Sequence, residues 1–372
     1  MGPNRAIRRY DLSGDWFDMG RQLGERVGGD IAGFNARYFS DAFNLIRFGS
    51  REKLEAYVGR VHQILGEYSD SGRSLVAGIA AGAKLPEEQV LMQALLPELT
   101  HVNSDRDWPG VRAGCTNACV SSSRSAAHGV LIGQCWDFNI DLPDWYVATL
   151  TPPLGLPQIL VVGAGSFFCC SGINGMGLAV TFTSSGHLPN VGPGVGVPLT
   201  VLLLEALCRE GYYEAMDTLV APKRAGSFNA LLTDGYAKSA VVEAAVDRVE
   251  LIEDESVLVC SNHYQHPTMV QGTGQDLSPP EPPAQEFARS TVGRAQRLRT
   301  LLERAPGGKV GLEYLKACLK DHEGHPLSIC AHEEGTILHF RTLGAMVLEP
   351  AMRTIHFCPG PPCQGKFQMF SL

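Results

Sequence analysis

The first chemical question this sequence poses is what one of its cysteines is for. Eleven cysteines occur among 372 residues, and the ordinary fate of a thiol is burial in a core. Cys115 stands apart. It lies in "RAGCTNACV", with Gly114 before it and the polar pair Thr116 and Asn117 after it. Glycine leaves the preceding carbonyl unhindered and the backbone adaptable. Cys115 is either one more packed thiol or a nucleophile set beside a bond it is meant to break.

Other chemistry-bearing residues lie downstream. Asp137 and Phe138 follow Trp136 in "GQCWDF", and Asn262 and His263 sit in "SNHY" after an apolar run. Taken singly, a lone strand-end aspartate is a solvated residue and an asparagine after a strand makes a turn. Metal ligation is not expected. Cys169 and Cys170 are adjacent in a strand, so their side chains point to opposite faces. "HEGH", His322 to His325, lacks the His-Glu-x-x-His zinc spacing. Neither offers a four-ligand set.

These residues need elements to position them. Met19, Leu23, Val27, Ile31 and Phe34 recur at helical spacing, as do Leu54, Val58, Val61 and Leu65. "SLVAGIAAGAKL" and "PEEQVLMQALL" extend a helical lead, the last with Pro86 at its first helical position. Gly20 and Gly24 inside the first stripe read as close packing against a neighbour. Near Arg112 the texture turns to short β-rich runs, among them "TNACVSSS", "GVLIGQCWDF", "YVATLTP" and "QILVVGAG". "FFCCSGINGMGLAVTFTSSG" reads as two strands joined at Asn174-Gly175. A helical pair follows, "PLTVLLLEALCRE" and "YYEAMDTLVA". Then come four strands, a second helical pair ("STVGRAQRLRTLLERA" and "VGLEYLKACLKD") and terminal strands "TILHFRT", "AMVLEP" and "TIHFC". "LSPPEPPAQ" and "NVGPGVGVP" read as loops, the latter without a phosphate-cradle signature. Strand runs alternating with helix runs predict an antiparallel layered α+β fold rather than a doubly wound parallel sheet.

Together these segments resemble the acyl-coenzyme A:6-aminopenicillanic acid (isopenicillin N) acyltransferase family, autoproteolytic N-terminal-nucleophile (Ntn) hydrolases. "AGCTNACV" is similar to the family's Gly-Cys-Thr self-cleavage segment, "GQCWDF" to its Gln-x-Trp-Asp-Phe strand, and "GINGMGLAV" to its Gly-x-Asn-x-x-Gly-x-Ala-Val hairpin. "GVP" at Gly196, "SNHY", "RAQRLRTLL" and "PLSICAHEEG" follow in family order. The order and spacing carry the resemblance, which covers most of the chain.

The resemblance implies a four-layer αββα sandwich with a helical N-terminal segment. It implies self-cleavage between Gly114 and Cys115 into chains 1–114 and 115–372 that stay together as one domain. Cys115 would then be an N-terminus holding both a thiol and an α-amine, with ordinary pKa values of about 8.5 and 7.7–8.0. One residue supplies nucleophile and base, and cleavage is also activation. On this resemblance Asp137 orients the Cys115 amine and thiol, and Asn262 donates to the oxyanion. Thr116, Phe138, Ser227, His263 and Ser328 support the site or the substrate. A Cys115/His263 dyad is the lesser alternative, because the α-amine already provides a base. One departure is plain: penicillin-forming members carry Arg three residues after Ser328, where this chain has Ala331. Arg297 reads as a structural ion-pair residue.

The substrate class is a small linear amide or an acyl donor. The acyl group passes through a Cys115 thioester to water or to an amine. No cofactor is expected, although a coenzyme A thioester remains open as donor. A non-catalytic binding descendant is the reading from another class, and retention of Gly114, Cys115, Asp137 and Asn262 together argues against it. The neighbourhood of a papain-like cysteine is absent. Apolar residues make up 44%, charged residues 19% and the formal charge is −8, which describes a globular protein with no nucleic-acid footprint. No apolar run is long enough to span a membrane. The absence of an export signal with eleven cysteines predicts free thiols and a cytoplasmic location. A homo-oligomer stays open.

Overall fold

Packing two twisted sheets face to face and covering their outer faces with helices buries every apolar stripe of this chain. The computed structural model describes residues 7–39, 50–99, 113–139, 141–185, 194–253, 256–279, 282–335 and 339–372. The N-terminal part carries strand β1 (Arg8–Ser13) and helices α1 (Trp16–Tyr38), α2 (Arg51–Tyr68), α3 (Asp70–Ala83), α4 (Glu87–Ala94) and α5 (Leu96–Leu99). The helical stripes expected from sequence are buried in these helices. Pro86 caps α4 from outside rather than opening it. Gly20 and Gly24 do serve close packing: an added Cβ would come within 2.3 Å of Leu75 O and 2.2 Å of Ile79 O on α3. Gly78 and Gly82 repay the approach from the other helix, facing the Phe17 and Arg21 carbonyls.

Among the described residues, one sheet runs β1-β4-β5-β6-β7-β8-β9-β10 and the other β11-β2-β3-β12-β13-β14. The first comprises β4 (Trp145–Thr151), β5 (Ile159–Ala164), β6 (Phe167–Asn174), β7 (Ala179–Ser184), β8 (Phe228–Thr233), β9 (Ser239–Ala244) and β10 (Val249–Glu253), with β1 added in parallel at its edge. The second comprises β2 (Ala113–Val120), β3 (Leu131–Phe138), β11 (Val257–Cys260), β12 (Arg341–Glu349), β13 (Thr354–Pro359) and β14 (Gln368–Ser371). Helices α6 (Leu199–Leu207) and α7 (Tyr212–Val220) cover the first sheet; α8 (Pro267–Thr273) follows β11; α9 (Pro282–Glu303) and α10 (Leu312–Cys318) cover the second. The result is the αββα sandwich. No helix among the described residues is long and apolar enough to cross a membrane.

Several expectations need correcting. β1, β14 and α8 carry too few apolar residues to be read from sequence. Helix α9 begins at Pro282, inside the Pro-rich run expected to be a loop, because proline suits a first helical turn. The described residues of "TILHFRT" do not form a strand separate from "AMVLEP". The described part forms one strand, β12, with an irregularity between Thr342 and Gly344; Thr336 to Leu338 lie outside the described residues, as do Asn190 to Pro193 of the glycine-rich loop and Arg112.

The seam between the sheets is aromatic. Trp136 stands edge-on to Phe182 at 5.2 Å, Phe167 at 6.0 Å and Trp145 at 5.6 Å, and stacks on Phe138 at 5.5 Å. Gln134 ties the sheets together, donating to Phe182 O at 2.6 Å and accepting from Ser171 Oγ at 2.6 Å. Side chains alternate along β3, so Trp136 faces the seam and Asp137 faces the α9 layer.

Candidate active site around Cys115

Strand β2 is central, paired with β3 on one side and β11 on the other. The β11 ladder ends at Cys260, opposite Asn117. Continuing that register would put Asn262 opposite Cys115, but the backbone turns away and side chains complete the ladder. Cys115 N donates to Asn262 Oδ1 at 2.9 Å, and Cys115 O accepts from Ser261 Oγ at 2.8 Å. Cys115 therefore sits where one neighbouring strand stops, in a gap closed by side chains alone.

Arg294 of α9 fills the other side. Its guanidinium donates to Cys115 O at 2.6 Å, to Thr116 Oγ1 at 2.6 Å and to Asn262 Oδ1 at 2.8 Å, while Nε reaches Ser290 Oγ at 3.1 Å. Nη1 stands 3.8 Å from Asp137 Oδ2. Both side chains are buried, so each charge depends on the other. Asp137 Oδ1 accepts from Thr342 Oγ1 at 2.7 Å, which the β12 irregularity aims at it. Oδ2 has no hydrogen-bond partner among the described residues.

Burial dominates the electrostatics. It pushes the Cys115 thiol up to about 12, with Asp137 adding to the rise and Arg294 opposing it. Burial lifts the Asp137 carboxyl to about 7 against the pull of Arg294 and Thr342. In the intact chain this thiol is a poor nucleophile at neutral pH.

The structure brings Gly114, Cys115, Thr116, Asp137 and Asn262 together. Gly114 packs on Phe340, where a Cβ would meet ring atoms at 2.8 Å. Phe340 belongs to an apolar cluster with Phe287, Leu327 and Ala331. Phe138 acts through the aromatic seam. Asn262 differs from expectation. Its Nδ2 is turned to Ser184 O at 2.8 Å and Ser184 Oγ at 3.3 Å, and its carbonyl oxygen faces Cys115. Two donors on one side and a carbonyl on the other fix this orientation. Asn262 thus accepts from Cys115 N rather than offering an N–H to an oxyanion.

The remaining residues bond elsewhere. His263 Nδ1 pairs with Thr291 Oγ1 at 3.0 Å, and burial with nearby Arg294 drives the ring down to about 4. Ser328 Oγ donates to Cys330 O at 2.7 Å inside its own turn. Buried Ser227 contributes its carbonyl to Ser185 N at 3.5 Å. Arg297 is bound to Asp321 and Glu323 at 2.7 and 2.6 Å, the ion pair expected of it. Sequence reasoning passed over Arg294 although a signal was present. Arg294 lies four residues before buried Leu298 and eight before buried Leu302, on the inward stripe of α9.

A search of curated proteins gives no match. The chain is similar in structure to a variant of the conjugated bile acid hydrolase from Clostridium perfringens, at 12% identity and a TM-score of 0.43, covering 70% of this chain and 97% of that one. Penicillin V acylase from Agrobacterium tumefaciens is also similar, at 12% identity and a TM-score of 0.32, covering 66% and 77%. The family model of acyl-coenzyme A:6-aminopenicillanic acid acyl-transferase matches residues 124–364, a span that holds Asp137, Asn262 and Arg294 and begins after Cys115. With about two thirds of its length matched, the chain belongs to the acyl-coenzyme A:6-aminopenicillanic acid acyl-transferase family.

Proposed function

We propose that the chain is a self-processing amide hydrolase or acyltransferase whose nucleophile is Cys115. The observation that carries this reading is the hold on the Cys115 main chain: Asn262 takes its N–H, while Arg294 and Ser261 take its carbonyl, where β11 has stopped. In the first step Cys115 Sγ attacks the Gly114 carbonyl carbon. The C–N bond breaks as the C–S bond forms, and the thiol hydrogen ends on nitrogen. Water then hydrolyses the thioester, releasing a Gly114 carboxylate and regenerating the thiol. The freed amine keeps Asn262 Oδ1 as its acceptor, so the base is born already placed. Chains 1–114 and 115–372 stay packed as one domain.

In turnover the substrate's acyl carbon occupies the place of the Gly114 carbonyl on Cys115 Sγ. The wall beside that place is Phe340, Phe287, Leu327 and Ala331. Ala331 is fully buried there, at the position where penicillin-forming relatives carry a cation. An apolar acyl group fits this wall, and an anionic one has no partner on it. Small linear amides with apolar acyl groups are therefore the favoured substrates, with water as acceptor. Intact-mass analysis of purified protein tests the reading. Two chains meeting at Gly114 and Cys115, and an acyl adduct on Cys115 after brief exposure to substrate, are expected. A single 40.1 kDa chain with activity unaffected by Cys115→Ala overturns it.

A further inference from the structure

Four ligand-type side chains that the proposed chemistry does not use converge at one point beside the site. They are His322, Cys330, His332 and Cys363, and their nitrogen and sulfur atoms all lie within 4.8 Å of one another. Neither of the two runs weighed from sequence forms this set by itself. The ligands come from three separate stretches of chain, and only His322 belongs to the "HEGH" run.

The distances discriminate between a hydrogen-bonded cluster and a cation site. His332 Nε2 is 3.1 Å from His322 Nε2, 3.7 Å from Cys330 Sγ and 3.6 Å from Cys363 Sγ, and the two sulfurs are 3.6 Å apart. One ring nitrogen holds either one proton or one lone pair, so it serves one of these three neighbours. A cation at the centre serves all four at once. Tetrahedral zinc with bonds of about 2.3 Å to sulfur and about 2.0–2.1 Å to nitrogen sets edges of about 3.8 Å for S···S, 3.6 Å for S···N and 3.3 Å for N···N. Four of the six edges follow these values to within a few tenths of an ångström, and the two from His322 to the sulfurs lie within 4.8 Å. We propose that His322, Cys330, His332 and Cys363 form a structural zinc site.

The donor set supports the assignment. Two thiolates and two neutral imidazoles are a zinc set, and their charge cancels that of the dication. Binding releases one proton from each thiol. With four protein ligands no position stays open for substrate, so the role is structural. The backbone is already fixed: Cys330 N donates to Asp321 O at 3.1 Å and His332 N to Pro326 O at 2.8 Å.

The site also reaches Asp137. Ala331, between two ligands, donates to Thr342 Oγ1 at 2.9 Å and accepts from Thr342 N at 3.1 Å, and Thr342 holds Asp137. A cation there clamps the segment that forms the acyl wall and braces the carboxylate.

The test is metal content and cobalt exchange on the full chain, in wild type and in Cys115→Ala, so that a failure of the proposed catalysis leaves the readout untouched. About one zinc per chain is expected in both, falling more than tenfold in Cys363→Ser and His322→Ala, whose altered residues are exposed and leave the far-UV spectrum unchanged. Cobalt substitution is expected to give thiolate charge-transfer and intense tetrahedral d–d bands, lost in Cys363→Ser. Wild-type protein that holds no zinc and takes up no cobalt overturns the proposal, as does a Cys330–Cys363 disulfide in the purified protein or equal metal content in the variants.

Discussion

Asn262 Oδ1 receives the Cys115 N–H at 2.9 Å and an Arg294 N–H at 2.8 Å. One carbonyl oxygen thus ties the Cys115 nitrogen to the buried cation behind it. Asn262→Ala leaves both donors without that acceptor, a loss of about 1–3 kcal/mol that corresponds to roughly five- to 150-fold in rate. Self-processing, followed as the decay of the full-length band after synthesis, is expected to slow by that factor. A variant that matures at the wild-type rate removes Asn262 from the mechanism.

Gly114 faces a different constraint. A Cβ at this position would overlap the Phe340 ring, so Gly114→Ala is expected to retard cleavage by displacing the carbonyl from the thiol. Phe340→Ala opens the space, and the double variant is expected to mature faster than Gly114→Ala alone. If the second substitution restores nothing, the glycine is required for another reason.

Arg294 is the cation on which Asp137 and the Cys115 carbonyl depend. Removing one partner of a buried pair costs about 3–5 kcal/mol, so Arg294→Gln is expected to lower the urea midpoint markedly in the unprocessed Cys115→Ala background. Arg294→Lys keeps the charge and loses the fork that serves four acceptors. It is expected to recover part of the stability and little of the processing. Equal midpoints for the parent and both variants would contradict the buried network.

Asp137 makes a pH-dependent contribution of definite sign. Its folded pKa is raised from an ordinary 3.8 to about 7, so the folded state binds the proton more tightly than the unfolded one. Stability from this group is complete at low pH and is lost as pH rises through about 7. Buried Glu98 and Glu243 are also raised to about 7, so only a difference isolates Asp137. In the Cys115→Ala background, Asp137→Asn is expected to gain on its parent between about pH 4 and pH 7 in chemical denaturation, where the unfolded carboxyl is ionised and the folded one is not, and to gain no more above that. A difference that is flat with pH, or of opposite slope, would refute the assignment.

The residues proposed as nucleophile and carboxylate, Cys115 and Asp137, stood out in the sequence because short motifs surround them. The layered fold followed from strand and helix runs in order. What stayed hidden was geometry between distant segments. Arg294 was passed over, although its alignment with buried Leu298 and Leu302 turns it inward. The role of Asn262 depended on where β11 stops, which no local pattern marks. β1 offers only Tyr10 and Leu12 as buried residues, too weak an alternation to separate from a loop. The His322, Cys330, His332 and Cys363 cluster is assembled by folding, and no spacing rule spans it.

The contact between Gly114 and Phe340 has a consequence for the timing of activity. On the proposed cleavage, cutting the bond would not by itself empty the acyl site: the new chain end, a glycine carboxylate at the tail of residues 1–114, would still face Phe340. Maturation would then have two clocks, one for hydrolysis and one for withdrawal of that tail. Freshly processed enzyme is expected to show a lag before steady turnover, and the lag reports how tightly the small chain holds the place that substrate must take.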